Sequence, residues 1–213
     1  RRIRAWMLGA AALALAVVGV LAYFSSKPGE PDLVSTRVAV AVFENQTGDP
    51  SLDPIGRMAA DWITQGLART SSVDVVPTST VFSLAKFIEE DAGSLRGDAL
   101  MHALARETKA STVVSGAYYK RGETIQFHAQ VMDVDEDKVL VALDPIDSPL
   151  DDPMDALETL RERIMGAIAT AFDATWPSLF AGAPPPTYEV YRLWMRQVEF
   201  LLDYYLRGAI DTA

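Results

Sequence analysis

"RVAVAVFENQTGDPSLDPIG", residues 37–56, joins a short apolar run to a polar loop and then to the start of a helix pattern. The run at 37–43 is rich in valine and shows no polar alternation, which is typical of a strand covered on both faces. Beyond the loop, apolar residues recur at steps of three and four, as on one face of an amphipathic helix. Asp53 followed by Pro54 is predicted to cap that helix.

The elements change character half-way along the chain. A short strand at 73–77 is followed by two helical patterns, the second ending near Thr108. Three strand-like runs come next, STVVSGAYY, TIQFHAQVMDV and KVLVALDPI, and the middle one alternates apolar and polar residues, as an antiparallel strand with one wet face does. A long helix follows. Because the first strands are joined by helices and the last by short turns, we expect an α/β fold with one mixed parallel and antiparallel sheet and packed helices.

The stretch AWMLGAAALALAVVGVLAYF, residues 5–24, carries no charge and as a helix would reach about 30 Å, the thickness of the hydrocarbon core. We predict a retained transmembrane helix. A cleaved signal peptide is the alternative, but it has a shorter apolar region and a small-x-small cleavage site. The residues predicted to lie in the membrane or at its interfaces are Trp6, Gly9, Ala12, Ala16, Gly19, Tyr23 and Phe24.

The charge distribution predicts the orientation of that helix. Three arginines precede the apolar stretch, and all 29 acidic residues follow it. The positive-inside rule therefore places the N-terminus in the cytoplasm and the main domain in the periplasm, at a bacterial inner membrane. With a net charge of −10, the chain repels nucleic acid, so no nucleic-acid partner is predicted.

Several chemistries lack the residues that they need. Without cysteine there is no disulfide, no thiolate zinc site and no cysteine nucleophile. The two histidines, His102 and His128, accompany neither a G-x-S-x-G nor an H-E-x-x-H motif. His102 is interpreted as a helix-surface residue, and His128 as facing solvent or a covering helix. We therefore predict that the chain is not an enzyme and holds no cofactor and no metal.

An acidic run before the last predicted strand has partial calcium-loop spacing. Asp133, Asp135, Asp137 and Asp144 occupy positions 1, 3, 5 and 12, but position 6 is Lys138 where the loop requires glycine. A solvated hairpin turn is therefore the favoured interpretation, and a metal site the alternative.

The loop FENQTGDP, residues 43–50, is the candidate binding site, because ligands favour the carboxyl ends of strands in α/β sheets. It has one glycine and neither dinucleotide-binding nor P-loop spacing, so it is not a phosphate cradle. Its polar residues bond readily to neighbouring backbone, which favours a structural turn. Contact with a small ligand or peptide is the alternative, and N-Q-T also matches a glycosylation acceptor. The candidate residues are Asn45, Thr47, Gly48 and Asp49.

We divide the chain into an anchor with its basic flank (1–27), a linker (28–35), the α/β domain (36–178), a Pro-rich linker (179–186) and the start of a helical repeat (187–213). The last segment reads as an amphipathic helix broken near Gly208, with too many apolar residues for a lone surface helix. The predicted partner-binding face is Leu193, Val198, Leu201, Leu202 and Tyr205. The chain begins with Arg and stops within this pattern, so we expect a piece of a longer protein or a processed one.

Three stretches together resemble the TolB N-terminal-like domain over about residues 36–175: RVAVAVFENQTGDP, QGLARTSSVDVVPTSTVF and LARETKASTVVSGAYYKRGETIQFHAQVMDVD. The C-terminal YRLW…YYLRGAID resembles the opening helix of tetratricopeptide repeats, which often follow that domain. The resemblance implies an extracytoplasmic binding or assembly module without catalytic residues. Val42 stands where the family commonly has proline, and DEDKVLVALDPID replaces its usual Gly and Leu–Trp.

We therefore expect a non-enzymatic single-span membrane protein whose periplasmic α/β domain binds or scaffolds other proteins. It would be an accessory subunit of a larger membrane complex, which is respiratory, photosynthetic, secretory or signalling. Its partners would be the lipid bilayer, through one helix, and other membrane-complex or periplasmic proteins. The alternative is the sensory exterior of a receptor-like protein kinase or transcription regulator.

Overall fold

The computed structural model describes residues 33–70, 73–92, 95, 97–173 and 184–210. The predicted membrane helix, with all seven residues assigned to it, lies outside this part of the chain. Within the part described, no helix combines the length and the apolar character that crossing a bilayer requires.

The strands of the described residues are β1 Val34–Val40, β2 Glu44–Asn45, β3 Asp74–Val75, β4 Ala110–Arg121, β5 Thr124–Asp133, β6 Lys138–Ala142 and β7 Ile146–Pro149. The helices are α1 Asp53–Ala68, α2 Thr78–Ala92, α3 Asp98–Thr108, α4 Met154–Phe172 and α5 Tyr188–Ile210. A 3-10 turn, Pro50–Leu52, precedes α1.

All these strands belong to one sheet with the order β3-β1-β4-β5-β6, in which β2 also pairs with β4 and β7 with β5. Strand β1 runs parallel to β3 and β4, with Val38 opposite Thr112. Strand β5 runs antiparallel to β4, β6 and β7. The prediction of one mixed sheet with packed helices is therefore confirmed.

Helices cover both faces of the sheet, and the sheet separates two apolar clusters. On the first face, α1 and α4 pack over β1, β4 and β5, and the largest buried side chains there include Phe43, Ile63, Leu160 and Ile164. On the second face, α2 and α3 pack over Ala39, Val113 and Met132. The alternation in β5 is explained by this arrangement, because Ile125, Phe127, Ala129 and Val131 all belong to the first cluster.

The start of α1 differs from the sequence prediction. Asp53 is the first residue of the helix and does not cap it, since the N-cap position is Leu52, which makes no side-chain capping bond. Asp49 is the residue that caps, and it caps the preceding 3-10 turn by accepting from the Ser51 N–H at 3.0 Å. The extra turn shifts the capping position four residues towards the N-terminus.

Helix α1 then passes very close to the chain that links β1 and β2. A Cβ placed on Gly56 would lie 2.1 Å from the carbonyl oxygen of Phe43. The Phe43 N–H in turn donates to the Gly56 carbonyl at 3.3 Å. Only glycine permits this separation, because no L side chain fits between the two backbones.

Helix α5 is continuous from Tyr188 to Ile210, so the predicted break near Gly208 is wrong. The chain enters this helix across α4, where a Cβ on Gly166 would lie 2.0 Å from the Pro186 carbonyl oxygen. A second helical glycine thus allows the segment before α5 to lie directly on the domain.

Candidate functional site

The loop after β1 forms a turn that is held by the side chain of Asn45. The Asn45 amide nitrogen donates to the Asp49 carbonyl at 2.8 Å and to Asp53 Oδ1 at 2.6 Å. The Asn45 amide oxygen accepts from the Thr47 N–H at 2.9 Å and from the Thr47 hydroxyl at 2.6 Å. Each polar atom of this amide therefore has two partners within the turn.

The other predicted loop residues serve the same turn. The Thr47 hydroxyl accepts from the Asp49 N–H at 3.1 Å, and Gly48 has the left-handed φ of +76° that favours glycine. The Ser51 hydroxyl donates to the Asp49 carboxylate at 2.7 Å. Hydrogen bonds from the Ser51 hydroxyl and then the Ser51 N–H lower the pKa of Asp49 below its ordinary value.

These bonds explain why the loop contains residue types that are typical of turns. Asn45, Thr47 and Asp49 direct their hydrogen bonds towards one another and towards neighbouring backbone. Ligand or partner contact by Asn45, Thr47, Gly48 and Asp49 stays a prediction.

Next to this turn, α3 no longer covers the second face of the sheet, which is open beyond the N-terminal end of that helix. Glu44 pairs with Ala117, and Ala117 pairs with His128, so the three residues form a row across β2, β4 and β5. In the neighbouring row, Ser115 pairs with Gln130. Both rows line a cavity of about 220 Å³, which Gly97, Leu100 and Met101 close at the end nearer α3.

A chain of polar contacts fixes the side chains along this open face. Gln126 donates its amide N–H to Asp147 Oδ1 at 2.8 Å, and its amide oxygen lies 3.1 Å from His128 Nε2. The His128 ring meets the Tyr119 ring edge to face, with centroids 5.1 Å apart. The prediction of His128 on the polar side of a strand agrees with its half-buried position here.

Helix α5 uses one face to cover the domain. Tyr188, Tyr191, Met195 and Val198 line an apolar cavity of about 470 Å³ shared with α1 and α4. The Tyr191 hydroxyl donates to Asp173 Oδ2 at 3.0 Å. Burial, and then the hydrogen bond to Asp173, raise the pKa of Tyr191 to about 12.

The opposite face of α5 is apolar and exposed. Its large apolar residues, with their exposed fractions, are Val190 (52%), Leu193 (49%), Phe200 (71%), Leu201 (52%) and Tyr204 (67%). Hereafter these five residues are called the outer stripe. The predicted partner face therefore combines two faces, because Leu193 and Leu201 lie on the outer stripe while Val198 faces the domain. The side chains of Leu202 and Tyr205 lie outside the described residues, and partner binding stays a prediction.

The acidic run between β5 and β6 forms a hairpin turn. Asp133 Oδ1 accepts from the Glu136 N–H at 3.0 Å, and Asp137 adopts a left-handed φ of 51°. His102 Nε2 lies 3.2 Å from Asp137 Oδ1. Nowhere in the described ranges do three or more metal-ligating side chains come together in a group that could hold an ion.

The cavity on the open face was missed by sequence reasoning. The alternation of Gln126, His128 and Gln130 indicates a polar strand face, and this signal was visible. The positions of Glu44 and Ser115 beside that face depend on the register of β2 and β5 against β4, which no local pattern contains.

No protein-family model matches the chain, and no curated protein matches it. Among solved structures it is similar to TolB from Acinetobacter baumannii, with 13% identity and a TM-score of 0.40 over 66% of this chain and 30% of the TolB chain. It is also similar to the PelC dodecamer from Paraburkholderia phytofirmans (19%, TM-score 0.41, 65% and 91% covered). The lipoprotein GNA1162 from Neisseria meningitidis gives 15% identity and a TM-score of 0.41, with 63% and 98% covered. Likeness at this level assigns the chain no activity and no partner.

Proposed function

We propose that this chain is a non-enzymatic docking component of a membrane assembly. The apolar stretch at 5–24 anchors it in the inner membrane, and the α/β domain binds a partner protein in the periplasm as an accessory subunit. The observation that carries the proposal is the outer stripe of α5, an apolar face on a helix whose other apolar face already covers the domain.

The size of the outer stripe supports a helical partner. Its residues lie within one side of the helix, at separations of three, seven, one and three from 190 to 204, a length of about 21 Å along the helix axis. That is about four turns, the contact length of one amphipathic helix packed beside another. Five large apolar side chains that are each about half exposed or more form a contiguous face, which in soluble domains marks an interaction site.

The partner segment that packs on the outer stripe is therefore an amphipathic helix. We propose that a subunit of the same membrane complex supplies it. A following helix of a tetratricopeptide-type repeat, as the resemblance implies for residues 187–213, would pack on the same residues, and the experiment below separates the two.

The test places a photo-crosslinking amino acid at position 200 of the full chain in its native membrane. Position 87 is the matched control, because Phe87 is also a phenylalanine on a helix surface and is 63% exposed. We expect a discrete crosslinked adduct with another protein from position 200 and none from position 87. A crosslink from position 200 to another part of the same chain would indicate that an intrachain repeat helix, and not a separate subunit, packs on the outer stripe.

A second arm measures the size of the native complex. Phe200→Glu places a charge in the outer stripe and should release the chain from the complex in mild detergent, whereas Phe87→Glu should leave the complex intact. A complex of unchanged size with Phe200→Glu would contradict docking through the outer stripe.

A further inference from the structure

We propose that the cavity on the open face of the sheet binds an organic cation, an alkyl ammonium or alkyl guanidinium group. This inference goes beyond docking by α5, because the cavity is lined by no residue of the outer stripe. It gives the domain a ligand site, which is the property that the alternative function, a sensory exterior, requires.

The cavity is a trough with small residues on its floor and longer polar side chains at its walls. Ser115 and Ala117 alternate along β4 on this face, while Glu44 of β2 and His128 of β5 flank Ala117 on its two sides. Because neighbouring strands lie about 4.8 Å apart, the backbones of Glu44 and His128 are separated by about 10 Å. That separation accommodates one alkyl chain lying along β4.

Among the described residues that line the cavity, Glu44 carries a carboxylate, which can only accept hydrogen bonds, and a network beside the cavity fixes the ring of His128. The Asp147 carboxylate can only accept, so the Gln126 amide N–H must donate to it and the Gln126 oxygen must face His128. His128 Nε2 therefore carries the proton that it donates to this oxygen at 3.1 Å. In the neutral ring Nδ1 is then left as an acceptor.

Two further oxygens belong to the same lining. The Glu44 carboxylate accepts one bond from the Gln46 amide at 3.0 Å and uses only Oε2 for it. Ser115 also lines the cavity, where its hydroxyl can accept as well as donate a hydrogen bond.

The rest of the lining suits the stem of such a ligand. Val42, Leu100 and Met101 supply apolar walls against which a short alkyl chain buries its methylene groups. Of the described residues that line the cavity, none is a lysine or an arginine. The N-terminal end of α3 is positive, but Asp98 in its first turn offsets that field.

The test follows Met101 in the full 213-residue chain, held in lipid nanodiscs and labelled with carbon-13 at its methionine methyl groups. Met101 lines the cavity, and Met154 at the start of α4 serves as the internal reference. Agmatine, an alkyl guanidine with an amine at its other end, should shift the Met101 signal with a Kd of about 1 mM, the affinity typical of a ligand with so few atoms. The Met154 signal should stay in place.

Four controls make the result decisive. Butyrate, a short chain of opposite charge, should leave Met101 unshifted. Glu44→Gln should weaken agmatine binding by about tenfold or more, because a charge-assisted hydrogen bond is lost. Glu123→Gln, which makes the same charge change in the exposed turn between β4 and β5, should not weaken it. Ala117→Leu, which fills the trough, should abolish the shift without altering charge.

Each contrary outcome overturns the proposal. Absence of an agmatine shift at Met101, a stronger response to butyrate, or equal weakening by Glu44→Gln and Glu123→Gln would each refute a cation site at this position. None of these outcomes bears on the crosslink from position 200, so failure of the two proposals is distinguishable.

One further titration distinguishes two sources of the cation, a lysine of a partner protein and a free small amine. A blocked tripeptide, acetyl-Ala-Lys-Ala-amide, presents the same ammonium group on a polypeptide. Binding of the tripeptide at least as tight as that of agmatine indicates a lysine of a partner protein. Binding of agmatine alone indicates a free small amine.

Discussion

Replacing Gly56 by alanine tests the close approach of α1 to the chain between β1 and β2. Helix propensity alone favours alanine by about 1 kcal/mol. Against this, the new Cβ would lie 2.1 Å from the Phe43 carbonyl oxygen and 3.3 Å from Tyr118 Cε1. The carbonyl belongs to the backbone of a buried residue and has no rotamer to change, so the upper end of the overpacking range, about 3 kcal/mol, applies. We expect Gly56→Ala to lower the free energy of unfolding by about 2 kcal/mol.

The same substitution at Gly66, nearly three turns further along α1, is the matched control. There the new Cβ would meet Met165 Sδ at 2.6 Å and the Arg161 side chain at 2.8 Å. Both are flexible and can move, so we expect a change within about 1 kcal/mol. Urea unfolding followed by circular dichroism should show a midpoint about 1 M lower for Gly56→Ala, at a slope of about 2 kcal/mol/M. An unchanged or higher midpoint for Gly56→Ala would refute the reasoning from backbone contact.

Two other substitutions test hydrogen bonds at the same end of the sheet. Asn45→Ala removes every side-chain bond of the loop amide and should cost about 1–2 kcal/mol in urea unfolding, and Asn45→Asp, which keeps only the accepting oxygens, should not restore it. Tyr118→Phe should cost about 1 kcal/mol, because the buried hydroxyl donates to the Leu52 carbonyl at 2.9 Å. Burial raises the pKa of Tyr118 to about 12, so the unfolded chain ionises first, and stability of the wild type should fall from about pH 10 towards 12; a pH series of urea midpoints should show a shallower fall for Tyr118→Phe.

Much of the fold followed from local patterns. The alternation in β5 predicted which of its residues enter the core, and the polar break at 120–124 predicted the β4–β5 hairpin, where Gly122 has a φ of +65°. Helices α1, α3 and α4 follow the three- and four-residue steps of their apolar residues. These features are local because each depends on one element and on the side of it that meets the core.

Three features that depend on how neighbouring elements meet were not predicted. Asp53 was assigned as the cap because it precedes the first periodic apolar residues, but an intervening 3-10 turn gave that task to Asp49. On α5, Leu193, Val198, Leu201, Leu202 and Tyr205 were predicted to form one partner face. The sequence alone does not show that α1 and α4 already cover the side that contains Val198. The open-face cavity required the register of three strands.

The parallel pairing of β1 has a consequence for the newly made chain. Its main partner, β4, lies about 70 residues further along, so at translation rates of about 5–20 residues per second β1 remains without that neighbour for several seconds. Meanwhile the run VAVAVF, which contains neither charge nor proline, has the composition of segments that self-associate into β-aggregates. Arg37 and Glu44, which border this run on either side, are charged flanks of the kind that suppress such association while the partner strand is awaited.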